Sequence, residues 1–355
     1  MRDGMNYAPK AFVEKVFEKG DFPIAAIGLE HGHIYGMCQS LEAAGSNVVK
    51  VYAEDLKKVE QFQKQFPDAK SVSSEAEILD DRSIKMVAAA HVPSERGPLG
   101  LRVLDHDKDF FTDKAPFTKL AQLEAARKKV KETGKIWAVC YSERVQNESA
   151  VFAGQLIEQG AIGRVLQVIG LGPHRLNALS RPDWFFIKEK YGGIICDIGS
   201  HQAEQFLFYA GAQDAKVASS YVANYHHPQY PELEDFGEVN MVADNGATNY
   251  YRVDWFTPDG LRTWGDGRTF ILGTEGYIEM RKYIDVARSE DGDQLFLVNG
   301  EGEKHYSLKG KVGFPYFGQL ILDCLNRTEN AMTQEHTFKA AELSLIAQEK
   351  AIRIE

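Results

Sequence analysis

The sequence predicts an α/β fold in two parts. The first part is a parallel sheet flanked by helices, and the second is an α+β domain with a large, mostly antiparallel sheet. Up to about residue 141, short apolar runs alternate with segments of helical periodicity, whereas strand-like runs separated by turn residues prevail after it. A chain of 355 residues is also long enough for two domains.

In the N-terminal half, predicted strands alternate with predicted helices. Apolar runs indicate buried strands at 23–28, 47–52, 86–90, 110–112 and 136–141. Helices are expected between these strands, up to Ala44 and at 56–66 and 118–133. Such alternation predicts βαβ units, in which the strands are parallel and the connections right-handed.

The C-terminal half follows a different pattern. Helices are expected at 149–159 and near 198–210, a strand at 164–171, and further strands between 216 and 299. Asn245-Gly246 lies between two of these strands and is typical of a tight hairpin turn. Two helices, 316–326 and 338–352, complete the prediction.

These patterns predict four segments. They are an N-terminal extension (1–20), a first domain (21–142), a second domain (143–335) and a C-terminal helix (336–355) that packs back on the first domain. The extension is expected to be a short amphipathic helix, because Phe12, Val13, Val16 and Phe17 recur at helical spacing.

Composition excludes several classes of protein. The formal net charge of −10 disfavours a nucleic-acid partner, which needs a basic face. No apolar run is long enough for a membrane helix, and no leader peptide is expected at the N-terminus. The four cysteines form no C-x-x-C pair, so we expect reduced thiols and a cytoplasmic location.

The loop between Gly28 and Gly36 follows the first predicted strand and opens a helix. A dinucleotide fingerprint occupies this place in a Rossmann domain, where the helix N-terminus binds pyrophosphate. A strict G-x-G-x-x-G motif would need glycine at Glu30 and His33, so the turn is atypical and weak cofactor binding is expected. The residues predicted to bind the cofactor here are Gly28, Leu29, His33 and Ile34.

Further cofactor contacts are expected after the second and third strands. Glu54 is placed to bind a ribose hydroxyl, whereas Lys57 and Lys58 could meet a 2′-phosphate, so the sequence leaves NAD and NADP both open. The loop after the third strand adds His91, Pro93 and Arg96 to the predicted contacts.

No metal site is predicted. His31 and His33 suggest one, but no carboxylate or cysteine at ligand spacing accompanies them.

Two groups of residues are candidates for catalysis. Asp113 and Lys114 follow a predicted strand, at the edge where doubly wound sheets bind ligands. Asp197 and His201 are four residues apart, so they share one face of a predicted helix, and the carboxylate could orient the imidazole as a general base. An exposed lysine, a capping aspartate and a packed histidine are the alternative interpretations.

Taken together, these groups resemble the Gfo/Idh/MocA family of glucose–fructose oxidoreductase, inositol dehydrogenase and relatives. The resemblance covers about residues 22–351. Asp113-Lys114 is similar to the family's Glu-Lys-Pro motif, and the segment from Gly193 to His201 is similar to its Gly-x-x-x-Asp-x-Gly-x-His motif. Ala115 and the short Asp113 depart from the first motif, and Glu30 departs from the glycine loop.

The resemblance implies a Rossmann domain followed by an open-faced sheet domain, with the active site between them and a homodimer or homotetramer formed through the sheet. It also implies roles: Lys114 binds the reacting oxygen and is near the cofactor together with Asp113, His201 takes the hydroxyl proton, and Asp197 orients the substrate and the histidine.

The irregular segment before the Asp197 helix is rich in arginine, histidine and aromatic residues, and two later stretches repeat that character. Aromatic faces with polar neighbours suit a sugar or cyclitol, and arginine suits a carboxylate, so a polyhydroxylated substrate is expected. About half of these residues are expected to be structural. The predicted substrate residues are His174, Arg175, Arg181, Trp184, Tyr191, Trp264 and Arg268.

Three functions remain open at this point. The first is an NAD(P)-dependent dehydrogenase or reductase acting on a CH–OH group. The second is a regulator that binds NAD(P) without catalysis, and the third is a lyase or glycosidase that uses NAD transiently.

Overall fold

The computed structural model describes residues 3–18 and 20–355 and divides into two compact units. The N-terminal unit consists of Met5–Cys140 and Gly313–Phe338. The C-terminal unit consists of Tyr141–Val312 and Lys339–Glu355, together with the described residues that precede Met5.

The N-terminal unit is built on a six-stranded parallel sheet in the order β3-β2-β1-β4-β5-β6. This is the strand order of the Rossmann fold. The strands are β1 (Phe22–Ile27), β2 (Ser46–Tyr52), β3 (Lys70–Ser71), β4 (Met86–Ala89), β5 (Asp109–Asp113) and β6 (Trp137–Cys140). The helices are α1 (His33–Ala43), α2 (Leu56–Gln65), α3 (Ala76–Leu79), α4 (Pro93–Asp105) and α5 (Leu120–Thr133).

Local sequence explains where these helices start and stop. Asp55 caps α2, because its side chain accepts a hydrogen bond from the amide of Lys57. Gly134 ends α5 in the left-handed conformation, with φ of 65°.

The five longer strands predicted for this half are confirmed by the observed strand bounds, and only the two-residue β3 was missed.

Helix α4 was not predicted, because Gly97, Pro98 and Gly100 interrupt its pattern. Proline at its first position, Pro93, suits a helix start. Gly100 is needed for packing, since a Cβ atom there would lie 2.1 Å from the ring of Trp137. What was expected to be a loop is therefore the first turn of a helix.

A late segment of the chain completes this unit. Helix α11 (Pro315–Asn326) places Phe317 edge-on to Phe111, with ring centroids 6.1 Å apart. Just after the helix, the guanidinium of Arg327 binds both carboxylate oxygens of Asp109, at 2.5 and 3.1 Å.

The N-terminal extension is not the amphipathic helix that was predicted. Apart from a short 3-10 helix at Gly4–Asn6, its described residues are irregular. Its backbone pairs with other segments: the amide of Val16 donates to the carbonyl of Ala44, and the carbonyl of Phe12 accepts from the amide of Phe314. These tertiary hydrogen bonds replace the helical ones, and Phe12 remains 70% exposed.

The C-terminal unit contains a nine-stranded mixed sheet, ordered β14-β13-β12-β11-β7-β10-β9-β8-β15. Only the β7–β10 and β8–β15 pairs are parallel. The strands are β7 (Val165–Pro173), β8 (Ala215–Ala223), β9 (Phe236–Ala243), β10 (Thr248–Asp254), β11 (Arg268–Gly273), β12 (Gly276–Arg281), β13 (Gln294–Asn299), β14 (Gly302–Ser307) and β15 (Ile352–Ile354). The predicted turn at Asn245-Gly246 joins β9 to β10, with Gly246 at φ of 86°.

One face of this sheet is covered by helices. They are α6 (Ser142–Val145), α7 (Glu148–Glu158), α8 (Lys188–Tyr191), α9 (Ile194–Asp197) and α10 (Gly199–Ala210). Leu272, Tyr277 and Val242 lie in one register row of the sheet and are more than 40% exposed. The homodimer expected through this sheet stays a prediction.

Most of the C-terminal helix α12 (Gln334–Lys350) belongs to the C-terminal unit, whereas the prediction assigned it to the first domain. Residues from Lys339 onward belong to the C-terminal unit, where the carbonyl of Ala347 accepts a hydrogen bond from Ser220. β15, which follows the helix, extends the sheet beside β8. Only the start of the helix joins the N-terminal unit, where Gln334 binds the backbone of Trp137.

No helix among the described residues combines the length and the apolar character that crossing a membrane requires. The four cysteines are buried thiols.

Candidate functional site

In the N-terminal unit, the loops after β1, β4 and β5 interlock at the carboxyl edge of the sheet. The loop after β1 is fastened on both sides, because Gly28 donates to the carbonyl of Tyr52 and His31 donates to that of Ala90. Gly28 has φ of 74°, and a Cβ atom there would lie 2.7 Å from the ring of His91. Glycine is therefore required at this turn.

Asp113, the last residue of β5, is the centre of this arrangement. Its side chain is fully buried and lies 3.0 Å from Nδ1 of His33 and 3.5 Å from Nδ1 of His31. It also accepts a hydrogen bond from the amide of Lys114 at 2.9 Å. Asp113 thus ties the glycine loop to the segment that carries the predicted catalytic lysine.

Arg96, in the first turns of α4, completes the network and has no exposed surface. Its guanidinium lies 3.4 Å from Asp113 and donates to the backbone carbonyls of His91, Lys114 and Ala115. The Lys114–Ala115 peptide bond is cis. Arg96 therefore holds the loop after β5 through its backbone carbonyls. That Arg96 also contacts the cofactor stays a prediction.

Burial and charge act in opposite directions on this network. Burial alone would raise the pKa of Asp113, but the charges of His33 and Arg96 hold it well below its usual range. Burial, followed by the charge of His33, lowers the pKa of His31 far below its ordinary value. Asp113 is therefore ionised at neutral pH, and His31 is a neutral imidazole.

The prediction that no carboxylate accompanies His31 and His33 was wrong. Asp113 supplies the carboxylate that the sequence pattern lacked, and ligand atoms of His31, His33 and Asp113 lie within 4.8 Å of one another. Arg96, however, also pairs with Asp113, so a cation would have to compete with an existing ion pair.

Glu30, which looked unfavourable beside a phosphate, forms an ion pair with Lys58 of α2. Its charge is therefore matched, and Lys58 is less available for a 2′-phosphate. Glu54, after β2, is exposed, and its carboxylate makes no hydrogen bond to any described residue. Helix α2 does not need it, since Asp55 provides the cap.

Lys114 follows β5 directly and is 5% exposed, so the interpretation as an ordinary surface lysine is wrong. The other predicted cofactor residues, Leu29, His33, Ile34, His91 and Pro93, lie in the loops after β1 and β4 or in the first turns of α1 and α4.

In the C-terminal unit, Asp197 ends the short helix α9 and His201 lies in the first turn of α10. Both side chains are buried, at 8% and 2% exposure. Ile198 lies between the two helices and has a right-handed backbone conformation. The four-residue spacing therefore spans a junction of two helices, because α9 ends at Asp197 and α10 begins at Gly199.

The start of α9 is held by a buried carboxylate that sequence reasoning missed. Glu234 accepts hydrogen bonds from the amide of Ile194 and the side chain of Gln348, and pairs with Lys188. Gly193 has φ of 93°, and a Cβ atom there would lie 2.2 Å from Gln348. The glycine of the motif is therefore favoured by its positive φ, which side chains rarely adopt.

Behind His201 lies a second buried network. Glu143 of α6 pairs with Lys282 at 3.1 Å and accepts from Gln202 at 2.9 Å. Arg144 pairs with Glu204 at 2.6 Å. The pairing of Glu143 with Lys282 was not predicted from sequence, because 139 positions separate the two residues.

Among the predicted substrate residues, His174 and Trp264 form an aromatic group. The ring of His174 lies 4.5 Å from that of Trp264 and 5.5 Å from that of Trp255. Trp184 packs against Phe185 at 5.9 Å, and its indole N–H has no hydrogen-bond partner among the described residues.

The other four predicted substrate residues are held by structural contacts, as expected for about half of the set. Arg175 donates to the carbonyls of Pro258 and Leu261, and Arg181 donates to those of Leu176 and Arg175. Tyr191 bonds the backbone of Glu232 and Glu234, and Arg268 pairs with Asp266.

The first described residues reach the aromatic group, which no sequence signal indicated. Asp3 accepts hydrogen bonds from Asn177 and Ser180, at 3.1 and 2.9 Å. Gly4 is buried, and a Cβ atom there would lie 3.2 Å from His174 and 3.3 Å from Trp264. The N-terminal residues therefore cover part of the surface predicted to bind substrate.

Comparison with known proteins agrees with these features. A family model described as the GFO/IDH/MocA C-terminal domain matches residues 151–279. The scyllo-inositol 2-dehydrogenase (NAD(+)) of Bacillus subtilis (strain 168) is 28% identical over 208 residues, which cover 57% of this chain. The match spans about half of that relative, at 56% of its length.

Solved structures share the whole fold. A protein from Erwinia carotovora atroseptica SCRI1043, known only by the general name oxidoreductase, is 50% identical. The match has a TM-score of 0.92 and covers 94% of this chain and 100% of the other. Levoglucosan dehydrogenase in complex with NADH is 17% identical, with a TM-score of 0.75 and coverage of 93% and 95%, and so shows the fold alone.

The family model over residues 151–279 and the half-identical structure over 94% of the chain thus agree on the family. The chain belongs to the Gfo/Idh/MocA family.

Proposed function

We propose that this protein is an NAD(P)-dependent dehydrogenase that acts on a CH–OH group of a sugar, sugar acid or cyclitol. The observation that carries the proposal is Lys114, a buried lysine directly after the fifth strand of a Rossmann sheet. Ligands bind at this edge of such sheets. The inositol dehydrogenase relative supports the reaction class and the kind of substrate.

The N-terminal unit fits a dinucleotide. Gly28 takes a positive φ of 74° in the turn between β1 and α1, and backbone N–H groups at the start of a helix suit a pyrophosphate. Glu30 does not oppose this, because Lys58 neutralises it. Glu54 suits two ribose hydroxyls and would repel a 2′-phosphate, which supports NAD over NADP.

Nicotinamide, when bound, supplies hydride transfer. The ammonium of Lys114 would bind the reacting oxygen and stabilise the charge that develops on it. His201 would accept the hydroxyl proton during oxidation, and Asp197 would orient the substrate and the imidazole. The aromatic group of His174 and Trp264 would pack against the apolar face of a sugar ring.

The test is a spectrophotometric assay of the purified full chain. NAD⁺ and NADP⁺ are each offered with a panel of inositols, aldoses and sugar acids, and nicotinamide absorbance is followed. We expect turnover with at least one polyol and a lower KM for NAD⁺. Lys114→Met and His201→Asn should each lower kcat by about 10²–10⁴-fold.

Lys108 offers a matched control, because it is also buried beside β5 but lies at the opposite end of the strand. Its ammonium binds the carbonyl of Asp81. Lys108→Met should lower thermal stability and leave kcat unchanged. Absence of turnover across the panel with both cofactors, or full turnover by Lys114→Met, would contradict the proposal.

A further inference from the structure

The carboxylate of Glu143 has one satisfied oxygen and one unsatisfied oxygen. Oε2 binds the ammonium of Lys282 at 3.1 Å and the side-chain amide of Gln202 at 2.9 Å. Oε1 is buried and has no hydrogen-bond partner among the described residues. The side chain of Glu143 is only 3% exposed, so bulk water does not solvate that oxygen.

Glu143 is ionised despite its burial. Burial raises the pKa of this carboxyl, but the charges of Lys282, His201 and His174 outweigh that effect and lower it to about 2. Burial lowers the pKa of Lys282, and Glu143 opposes that effect. The pair is therefore a buried ion pair, and the charges of His201 and His174 act on its anionic partner, which also binds Gln202, the residue next to His201.

The other titratable groups near His201 are an ion pair, a neutral tyrosine and one further carboxylate. Arg144 pairs with Glu204, so these two residues add no net charge. Tyr141 presents its ring edge to His201 at 6.3 Å, and burial raises the pKa of its hydroxyl, so it stays neutral. Asp197, at the end of α9, is a further carboxylate four positions before His201 in the chain.

An ionised carboxylate oxygen that is buried without a hydrogen-bond donor is costly. Such an unsatisfied oxygen calls for an explanation, and one explanation is that a neighbouring group becomes a hydrogen-bond donor when it gains a proton. Of the groups whose charges act on Glu143, His201 and His174 can gain a proton, and His201 is the one assigned a proton-transfer role.

We propose that Glu143 is a positioning residue for His201, and that its carboxylate stabilises the imidazolium formed when His201 accepts a proton from the substrate. Lys282 and Gln202 hold the carboxylate in place, and Lys282 moderates its charge. The inference rests on the proposed function for the role of His201.

The test is a histidine NMR titration of the full chain without substrate or cofactor. Loss of signal in His201→Asn and His174→Asn assigns the two imidazoles. Glu143→Gln removes the anion and should lower the titration midpoint of His201 by about 1 unit or more, whereas Lys282→Met removes the cation and should raise it. The double variant should fall between the two single variants.

Opposite shifts are the decisive result, because general damage to packing would move both variants in the same direction. Glu301 and Lys304 provide a matched control, since they form an exposed ion pair at 2.7 Å at the start of β14. Glu301→Gln and Lys304→Met should leave the midpoint unchanged. An unchanged midpoint in Glu143→Gln, shifts of the same sign, or a shift confined to His174 would overturn the proposal.

Activity then separates the two proposals. In a working dehydrogenase, the acidic limb of the kcat/KM profile of Glu143→Gln should move with the NMR midpoint, because both report the proton acceptor. If the midpoint moves but no substrate turns over, the proposed function fails while the pairing of Glu143 with His201 stands. If turnover is normal and the midpoint is unmoved, this inference alone fails.

Discussion

At the scale of single residues, the two candidate sites depend on buried charges that organise backbone. Asp113 and Arg96 are fully buried and bind each other, and between them they also bind the amide of Lys114 and three backbone carbonyls. Glu234 does the same for the start of α9. Breaking such a pair leaves an uncompensated buried charge, which costs more than the pair contributes.

Asp293 shows the opposite case, a carboxylate that burial destabilises. Its side chain accepts a hydrogen bond from the amide of Ser149 at 2.9 Å. Burial raises its pKa to about 6, with a further contribution from Glu148. Because the folded state binds this proton more tightly than the unfolded state, its contribution to stability is full below pH 4 and is lost as the pH rises through 6.

Asp293→Asn should therefore stabilise the protein at pH 7. Asparagine keeps the acceptor oxygen, cannot ionise and tolerates the local φ of 53°. We expect the free energy of unfolding in urea to rise by about 1–3 kcal/mol at pH 7 and to show no gain at pH 4. Asp291→Asn is the control, because its pKa is lowered by Lys309 and its removal should bring no gain at pH 7. Equal stability of wild type and Asp293→Asn at pH 7 would refute the argument.

At the scale of elements, the sequence predicted what apolar runs and turn residues encode. Strands β4, β5 and β6 of the first sheet are continuous buried runs, and Gly134 and Gly246 mark a helix end and a hairpin as expected. Helix α4 was missed because its glycines and proline serve packing against neighbours that are distant in sequence. The N-terminal extension was misassigned because its backbone bonds go to tertiary partners.

For the candidate site too, local motifs were predicted from sequence and long-range contacts were not. Lys114, Asp197 and His201 were identified because each lies in a short motif next to a predicted strand or helix. The pairing of Glu143 with Lys282 and the contact of Gly4 with Trp264 depend on segments far apart in the chain, which no local pattern reveals. Arg175 and Arg181 have the composition of a binding site, and only the structure shows that backbone carbonyls occupy them.

Helix α4 gives the prediction at this scale. Gly100→Ala should destabilise the N-terminal unit, because the added methyl would lie 2.1 Å from Trp137 and 2.7 Å from Phe110. Both rings are fully buried, so the core must shift, at a cost of about 1–3 kcal/mol. Urea unfolding followed by tryptophan fluorescence measures it. Gly260→Ala is the matched control, since nothing lies within 4 Å of its Cβ position. A Gly100→Ala variant as stable as Gly260→Ala would contradict the packing argument.

At the scale of the whole molecule, the chain completes its N-terminal unit late. Gly313–Phe338 belongs to the unit formed by Met5–Cys140, so the predicted boundaries of the first domain at 21 and 142 leave out part of its core. Phe338 lies against Phe117 and Trp137, with ring centroids 6.3 and 6.4 Å apart. The linear pattern of strands and helices could not show this, because it records neighbours in sequence only.

A fragment of residues 1–142 should therefore lack a stable native state. Without the late segment, Phe111, Phe117 and Trp137 lose aromatic partners, and the buried Asp109 loses its bidentate contact with Arg327. We expect a weak near-UV circular dichroism spectrum and no cooperative urea transition for the fragment. A synthetic peptide of residues 313–338, added in excess, should restore both signals by mass action, and a scrambled peptide of the same composition should not. A cooperative transition of the fragment alone would mean that the first 142 residues suffice for this fold, and that residues 313–338 are not needed for it.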